Sequence, residues 1–227
     1  MKIIGIIQAR DNSSRLPNKA TLPINGKLLI AHVWSRLYSV GQLDFVVVST
    51  SKESPRIIKW CQENEIQYHV GSESDLLSRH IGAAEAFDAD AVLRVTADCL
   101  FHDPAMLELM ITGFLKAKPE ALINWHNGYR TVSEGLDAAI VTTMAMRTLS
   151  QSKECPREDW LTHMDKHYRV MGWAYPERIG HDLHLSIDTQ EDLDMAEKML
   201  KIIGNDNWSY KATLEAYRQV TEKGDTR

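Results

Sequence analysis

The sequence predicts an α/β protein whose sheet is mostly parallel and is covered by helices on both faces. Apolar runs of strand length recur along the first half of the chain, and segments with helical spacing of apolar residues lie between them. The chain has 227 residues, 44% hydrophobic and 25% charged, which suits one sizeable soluble domain. Because no repeat or Gly/Ser-rich linker divides it, we expect residues 1–227 to form a single domain.

The first element is an apolar run followed by a polar loop. The run Ile3–Ile7 is short enough for a buried strand, and the loop after it carries Arg10, Arg15 and Lys19. Open parallel sheets bind ligands outside the carboxyl ends of their strands, where cations and hydroxyl groups suit a polyphosphate. A solvated basic loop is the alternative. The loop has neither the G-x-x-x-x-G-K-[ST] pattern nor the G-x-G-x-x-G pattern of common phosphate-binding loops.

Strands and helices then alternate up to Asn124. The predicted strands are short apolar runs, and the predicted helices have apolar residues on one face or a proline in the first turn. In chain order they are helix 28–38, strand 43–48, helix 54–64, strand 66–70, helix 75–87, strand 91–96, helix 104–116 and strand 121–124.

The pattern is less regular after residue 126. We expect residues of about 126–182 to form a substrate-binding subregion, followed by a last strand at 183–187. Thr189 and Asp192 have the spacing of a capped helix start, which predicts a helix from 189 to 203. A C-terminal helix is expected at 210–222, within the final segment of about 205–227.

Two aspartates directly follow predicted strands. Asp98 follows strand 91–96, and Asp188 follows strand 183–187. If both strands run parallel to the first, the two carboxylates and the cationic loop meet at one edge of the sheet. Mg²⁺ is commonly bound by one or two carboxylates together with phosphate oxygens, so this pair predicts a divalent-metal site. The alternative is helix capping, which is the commoner role of a lone aspartate at a strand end and is open to Asp188.

Charge and cysteine usage exclude several classes of partner. The net charge of −5, from 26 Lys+Arg and 31 Asp+Glu, gives no general attraction to a nucleic acid polymer or an anionic membrane. Neither an apolar run of about 18 residues nor a signal-peptide pattern is present. Cys61, Cys99 and Cys155 form no C-x-x-C pair, which predicts a reduced, cytoplasmic protein.

Three other patterns are weaker. His163 and His167 have helical metal-ligand spacing, but a third ligand is not evident, so a surface, interface or sugar contact is favoured over zinc. Asp88 and Asp90 form a D-x-D motif before a strand rather than after it, which predicts a turn facing away from the cleft. The tryptophans are expected in the core.

The loop resembles the entry loop of the cytidylyltransferase family, which includes sugar-activating synthetases and spore-coat-polysaccharide type proteins. That family's pattern is roughly Q-A-R-x-x-S-S-R-L-P-x-K, and the positions that agree are Gln8, Ala9, Arg10, Ser13, Ser14, Arg15, Leu16, Pro17 and Lys19. Later blocks are also similar. Residues 71–79 resemble the family's G-S-E-x-D-V-L-x-R, and residues 96–100 resemble T-G-D-C-P. Residues 134–138 resemble G-L-D-V-E, residues 156–160 resemble R-E-H-V-T-P, and residues 187–193 resemble V-D-T-P-E-D-L.

The resemblance implies a Rossmann-like fold of the nucleotide-diphospho-sugar transferase type. It also implies that CTP reacts with a small sugar or sugar acid to give a CMP-sugar and pyrophosphate, in a homodimer that uses residues 126–182 for the sugar and the partner subunit. By resemblance the nucleotide-binding residues are Gln8, Ala9, Arg10, Ser13, Ser14, Arg15, Lys19, Ser78, Arg79 and Ala97. Arg15, Lys19 and Asp98 are the expected catalytic residues, and Asp98 and Asp188 the expected ligands of Mg²⁺. Ser72 or Ser74 is expected to cap helix 75–87.

The chain departs from the family pattern at a few positions. Asn12 and Asn18 replace glycines that the family often has, and Ala97, Leu100 and Asp159 replace a glycine, a proline and a histidine. Ala97, Leu100 and Asp159 leave open a nucleotide-sugar-binding protein that has lost turnover. Within the enzyme class, the alternative is the same chemistry on a phosphorylated sugar or polyol.

Overall fold

The structure, a computed structural model, describes residues 1–126, 129–175, 182–204 and 207–222. Parts of the predicted subregion 126–182 and of the C-terminal segment 205–227 lie outside these ranges. None of the helices in the described ranges combines the length and the apolar character needed to cross a bilayer.

Strands and helices alternate along the chain. In order they are β1 (Ile3–Gln8), a 3₁₀ turn (Lys19–Thr21), β2 (Pro23–Ile24), β3 (Lys27–Leu28), α1 (Leu29–Tyr38), β4 (Phe45–Ser51), α2 (Pro55–Glu63), β5 (Tyr68–Gly71), α3 (Leu76–Ala86), β6 (Ala91–Thr96) and α4 (Pro104–Ala117). They continue with β7 (Ala121–Ile123), β8 (Trp125–His126), β9 (Tyr129–Arg130), β10 (Ala139–Thr142), α5 (Thr143–Ser150), a 3₁₀ helix (Trp160–Lys166), β11 (Val170–Gly172), α6 (Gln190–Ile203) and α7 (Tyr210–Glu222).

The described central sheet has the strand order β11-β7-β10-β6-β1-β4-β5. β1 pairs in parallel with both β4 and β6, and β5 extends the parallel set. β10 runs antiparallel to β6 and to β7. The described sheet is therefore mostly parallel, as predicted, and the reversal of β10 was not predicted. The chain leaves β1 toward β4 and β5 and later returns to β6 on the other side. The reversal opens a crevice at the carboxyl ends of β1 and β6.

Both faces of the sheet are buried. Ile3 and Ile7 of β1 pack with residues of α1, α2 and α4, whereas Ile4 and Ile6 pack with α3 and α5 on the opposite face. Burial on both faces explains why β1 is a continuous apolar run rather than an alternating one. A third apolar cluster joins α6 and α7 to Leu16 and Leu100, beside the end of the sheet where the crevice lies.

Most predicted elements are present with ends shifted by a few residues, and strand 91–96 and helix 210–222 match in full. Residues 183–187 are a correction, since His184 makes only an isolated bridge to Glu134 in this segment. The segment 183–187 is held by backbone hydrogen bonds, from Leu185 N to Glu134 O (2.8 Å) and from Ile187 N to Asp98 O (3.1 Å). The run is apolar because Leu185 and Ile187 pack into the third cluster rather than into the sheet.

The helix starts contain one further correction and one confirmation. Asp75, not Ser72 or Ser74, caps α3 by accepting a hydrogen bond from Ser78 N. Thr189 and Asp192 form a complete capping box at the start of α6, as predicted, so Asp188 is not the cap of that helix.

Candidate functional site

A cleft of about 280 Å³ lies at the carboxyl ends of β1 and β6. Its lining comes from the end of β1, the loop after it, the end of β6 and the segment before α6. The lining residues are Gln8, Ala9, Arg10, Asn12, Ser13, Ser14, Arg15, Lys19, Ala20, Thr96, Ala97, Asp98 and Asp188. All the residues predicted to bind nucleotide are therefore gathered here except Ser78 and Arg79.

Lys19 lies between the two predicted carboxylates. Its Nζ is 2.6 Å from Asp98 Oδ2 and 2.8 Å from Asp188 Oδ1, and Arg15 Nη2 is 3.0 Å from the same Asp188 oxygen. The Lys19, Asp98 and Asp188 side chains are at most 24% exposed, whereas Arg15 is 65% exposed. The structure thus places both aspartates at one point with two of the three cations of the loop, Arg15 and Lys19.

Electrostatics keeps this cluster charged. Burial opposes the charge on Lys19, but Asp98 and Asp188 together outweigh burial and raise the pKa of the ammonium. Burial also opposes the charge on Asp98, and Lys19 together with a hydrogen bond from Thr96 outweighs it, so the pKa of Asp98 is lowered. Asp98 is therefore ionised at neutral pH.

Local backbone geometry directs these side chains into the cleft. Asn18 has a left-handed conformation (φ 57°), which asparagine tolerates better than most residues, immediately before Lys19 starts its 3₁₀ turn. Asp98 lies two residues after Thr96, the last residue of β6. Asp188 is positioned by the α6 cap, because the Asp192 carboxylate accepts hydrogen bonds from Asp188 N (3.0 Å) and Thr189 N (2.8 Å).

The two carboxylates are donors of the kind that a magnesium ion takes. Oxygens of Asp98 and Asp188 both contact the Lys19 ammonium, so the carboxylates meet at one point, and Mg²⁺ sites commonly combine one or two carboxylates with phosphate and water oxygens. No group of three or more His, Cys, Asp or Glu side chains suited to a metal occurs within the described residues. Oxygens from the substrate or from water would therefore have to complete the coordination.

Two other lining residues have partners outside the loop. Gln8 Oε1 accepts a hydrogen bond from Arg94 Nε on the neighbouring strand at 2.9 Å, which fixes the Gln8 amide. Arg10 Nη1 lies 3.3 Å from Glu158 Oε1 in an exposed ion pair that ties the loop to the segment before the second 3₁₀ helix. An exposed pair of this kind contributes little stability, so Arg10 can exchange partners at low cost.

Ser78 and Arg79 do not line the cleft. The Ser78 hydroxyl donates to Asp75 O within the first turn of α3. Arg79 is buried, its Nη1 donates to Ser72 O, and burial lowers the pKa of its guanidinium. Both side chains serve the start of α3 in this structure, and their nucleotide-binding role stays a prediction.

The weaker patterns lie away from the cleft. His163 lies within the second 3₁₀ helix and His167 caps its end, so the two are not on one face of an α-helix; their ring centroids are 5.2 Å apart, and no third metal ligand joins them in the described ranges. Asp88 and Asp90 form a turn at the opposite end of β6, as predicted, and Asp90 accepts a hydrogen bond from Lys2 N. Of the six tryptophans, which were expected in the core, only Trp160 is fully buried, and the other five are half-buried.

Sequence reasoning missed three lining residues, Asn12, Ala20 and Thr96. Asn12 and Thr96 lie inside segments that the motifs matched, so the motifs could have identified both as residues of the cleft. Of the departures from the family pattern, Ala97 lines the cleft, whereas Leu100 is fully buried in the third apolar cluster. Leu100 therefore affects packing rather than the cleft lining.

Comparisons with known proteins agree with this geometry. A family profile described as cytidylyltransferase matches residues 4–221. Spore coat polysaccharide biosynthesis protein SpsF of Bacillus subtilis is 27% identical over 218 residues, covering 89% of this chain and 88% of that protein. A 3-deoxy-manno-octulosonate cytidylyltransferase of Geobacter metallireducens is 31% identical over 108 residues, covering 48% of this chain and 42% of that protein. The solved structure of a cytidylyltransferase from Leptospira borgpetersenii superimposes with a TM-score of 0.90 at 26% identity, covering 100% of this chain and 98% of that one.

Proposed function

Because the chain belongs to the cytidylyltransferase family, we propose that it transfers the CMP group of CTP to a hydroxyl group of a sugar or sugar acid and releases pyrophosphate. The observation that carries this proposal is the cluster in which Lys19, at the end of the cationic loop, binds both Asp98 and Asp188. Such a cluster suits the transfer of an already anionic group, because charge neutralisation and positioning are its main requirements.

In the proposed reaction the acceptor hydroxyl oxygen forms a bond to the α-phosphorus of CTP, the bond from that phosphorus to the bridging oxygen of pyrophosphate breaks, and the hydroxyl proton passes to water. Arg15, exposed and held by one ion pair, can turn its guanidinium toward the phosphates, while Lys19 presents a fixed charge. Ser13 and Ser14 supply hydroxyl donors. The lowered pKa of Asp98 makes this carboxylate a weak proton acceptor and suits it to binding a cation.

Asp98 and Asp188 would hold Mg²⁺ in this proposal. The ion supplies positive charge that neutralises phosphate oxygens and aligns them with the acceptor. The support is the shared position of the two carboxylates at the phosphate-binding loop.

The acceptor class and its biological use are proposed from the named relatives. One relative is named for 3-deoxy-manno-octulosonate, a sugar acid, and another for spore coat polysaccharide biosynthesis. We propose an acceptor of this general kind and a role in assembling a surface polysaccharide.

The test measures pyrophosphate release with CTP and Mg²⁺ against a panel of neutral sugars, sugar acids, phosphorylated sugars and polyols. We expect turnover with CTP in preference to ATP, GTP or UTP, and with an acceptor among the sugars or sugar acids. Asp98→Asn should abolish metal-dependent turnover, whereas the matched control Asp90→Asn at the opposite end of β6 should keep it. Turnover confined to phosphorylated sugars or polyols would support that alternative instead. CTP binding without pyrophosphate release from any acceptor would support a binding protein.

A further inference from the structure

Asp11 is a buried carboxylate in the middle of the polar loop that lines the cleft. Its neighbours Arg10 and Asn12 line the cleft and are exposed, but Asp11 is only 8% exposed and lies outside the cleft lining. A carboxylate is rarely buried without partners, so its contacts indicate what it does there.

The backbone of Asp11 closes the loop on itself. Its carbonyl oxygen accepts hydrogen bonds from Ser13 N (3.0 Å) and from Asn18 N (3.1 Å). Asn18 is the left-handed residue that directs Lys19 toward the two cleft aspartates. One carbonyl thus joins the start of the loop to its end.

The side chain and amide of Asp11 attach the loop to α2. Asp11 Oδ2 accepts a hydrogen bond from Arg56 N (3.0 Å) in the first turn of α2, and Asp11 N donates to Ser54 Oγ (2.9 Å). Ser54 is the N-cap residue of α2, yet its side chain makes no capping bond to that helix. Asp11 supplies an acceptor to the helix start, through its bond from Arg56 N, which lies 45 residues later in the chain.

We propose that Asp11 is a positioning residue, which holds residues 9–19 in a phosphate-binding shape by anchoring the loop to the N-terminus of α2. The inference rests on the proposed function for its relevance to CTP. A loop that is already ordered before binding loses little further conformational entropy when the ligand binds. The anchor therefore raises the affinity for the phosphates without contacting them.

The test compares Asp11→Ala, Asp11→Asn and Ser54→Ala with the control Thr142→Ala. Thr142 caps α5 by accepting from Ala145 N, and it pairs with Ala91 at the opposite end of the sheet. Asp11→Asn keeps an oxygen that can accept from Arg56 N, and Ser54→Ala removes the second anchor if Asp11→Ala does not fold. Binding is measured with inorganic triphosphate and Mg²⁺, alongside hydrogen exchange of the amides of residues 9–19 and the KM and kcat for CTP.

We expect Asp11→Ala to weaken triphosphate binding and to raise KM for CTP by about tenfold, with kcat within about threefold of wild type. Ser54→Ala should shift the same measurements in the same direction, and Asp11→Asn should restore most of the loss. Faster exchange should be confined to residues 9–19 and the start of α2. Thr142→Ala should lower the melting temperature without changing triphosphate binding.

Unchanged triphosphate binding and exchange in both anchor variants would overturn the inference. So would an equal loss of binding in Thr142→Ala, because the effect would then follow global stability. If the wild-type protein releases no pyrophosphate from CTP, the proposed function fails, while triphosphate binding and hydrogen exchange still decide the role of Asp11.

Discussion

Lys19 is the residue on which the cleft depends most. It is the shared partner of Asp98 and Asp188, so its removal leaves the two carboxylates without the cation that lies between them. Arg15 contacts only one of them and is mostly exposed. Substitutions of Lys19 and of Arg15 are therefore expected to affect the kinetics of the reaction differently.

Replacement of Lys19 by methionine should lower kcat/KM for pyrophosphate release by about 100-fold or more, since a preorganised charge at the reacting phosphates is lost. Arg15→Gln should act mainly through KM for CTP, because the exposed side chain reaches the phosphates only after binding. Steady-state kinetics of both variants, with melting temperatures to confirm folding, make the comparison. Equal losses in KM alone for both variants would contradict the distinct role of Lys19.

The same cluster predicts how stability depends on pH. The pKa of Asp98 is lowered by folding, so its contribution is present above the ordinary aspartate pKa and is lost as pH falls through the lower folded value. The pKa of Lys19 is raised, so its contribution persists until pH rises through that higher value. The ion pairs are thus intact throughout the neutral range.

Thermal unfolding of wild type and Asp98→Asn should therefore differ by a constant amount around neutral pH, and the difference should shrink below about pH 4. Asp194→Asn is a suitable control, because the exposed Asp194 side chain contacts Gln190 on the surface of α6. A difference that stays constant down to pH 2 would show that the charge of Asp98 does not stabilise the fold.

Among the elements, α6 and the segment before it show most clearly how the site is assembled. Asp188 was predicted to follow a strand, but it precedes a helix, and its backbone amide is held by the Asp192 carboxylate. The position of a metal-ligand candidate thus depends on a helix cap. The motif that predicted Asp188 as a site residue was informative, and the element assigned to it was wrong.

Thr189→Ala should loosen this cap. We expect a loss of about 1 kcal/mol in the free energy of unfolding, together with a fall in kcat, because Asp188 becomes less well positioned. Thr142→Ala at the start of α5 removes an equivalent cap far from the cleft and should cost similar stability without affecting kcat. Chemical denaturation and pyrophosphate release on the same samples separate the two effects. A fall in kcat for both variants would attribute the change to stability.

At the scale of the whole molecule, the cleft occupies the point where the strand order reverses beside β1. A ligand bound there contacts the loop after β1, the end of β6 and the segment before α6 together. Binding therefore links parts of the chain that are distant in sequence and should stabilise the fold as a unit.

CTP with Mg²⁺ should raise the melting temperature, by an amount that corresponds to about 2.7 kcal/mol at a hundredfold excess over Kd. Inorganic triphosphate should give a smaller shift, and Lys19→Met should remove most of both. Differential scanning fluorimetry across a concentration series measures these shifts. An equal shift for ATP and CTP would mean that the cleft recognises the phosphates and not the base.

Homodimerisation and a cytoplasmic location stay predictions from the sequence.

Local signals in the chain, namely apolar runs, helix caps and a distinctive loop motif, were enough to predict the alternation of strands and helices, the buried first strand and the residues at its carboxyl end. The reversal of β10, the absence of a strand at 183–187 and the placement of Lys19 between two aspartates became evident only from the three-dimensional fold. Strand pairing and ion pairs join positions up to 169 residues apart, and no local pattern specifies such contacts.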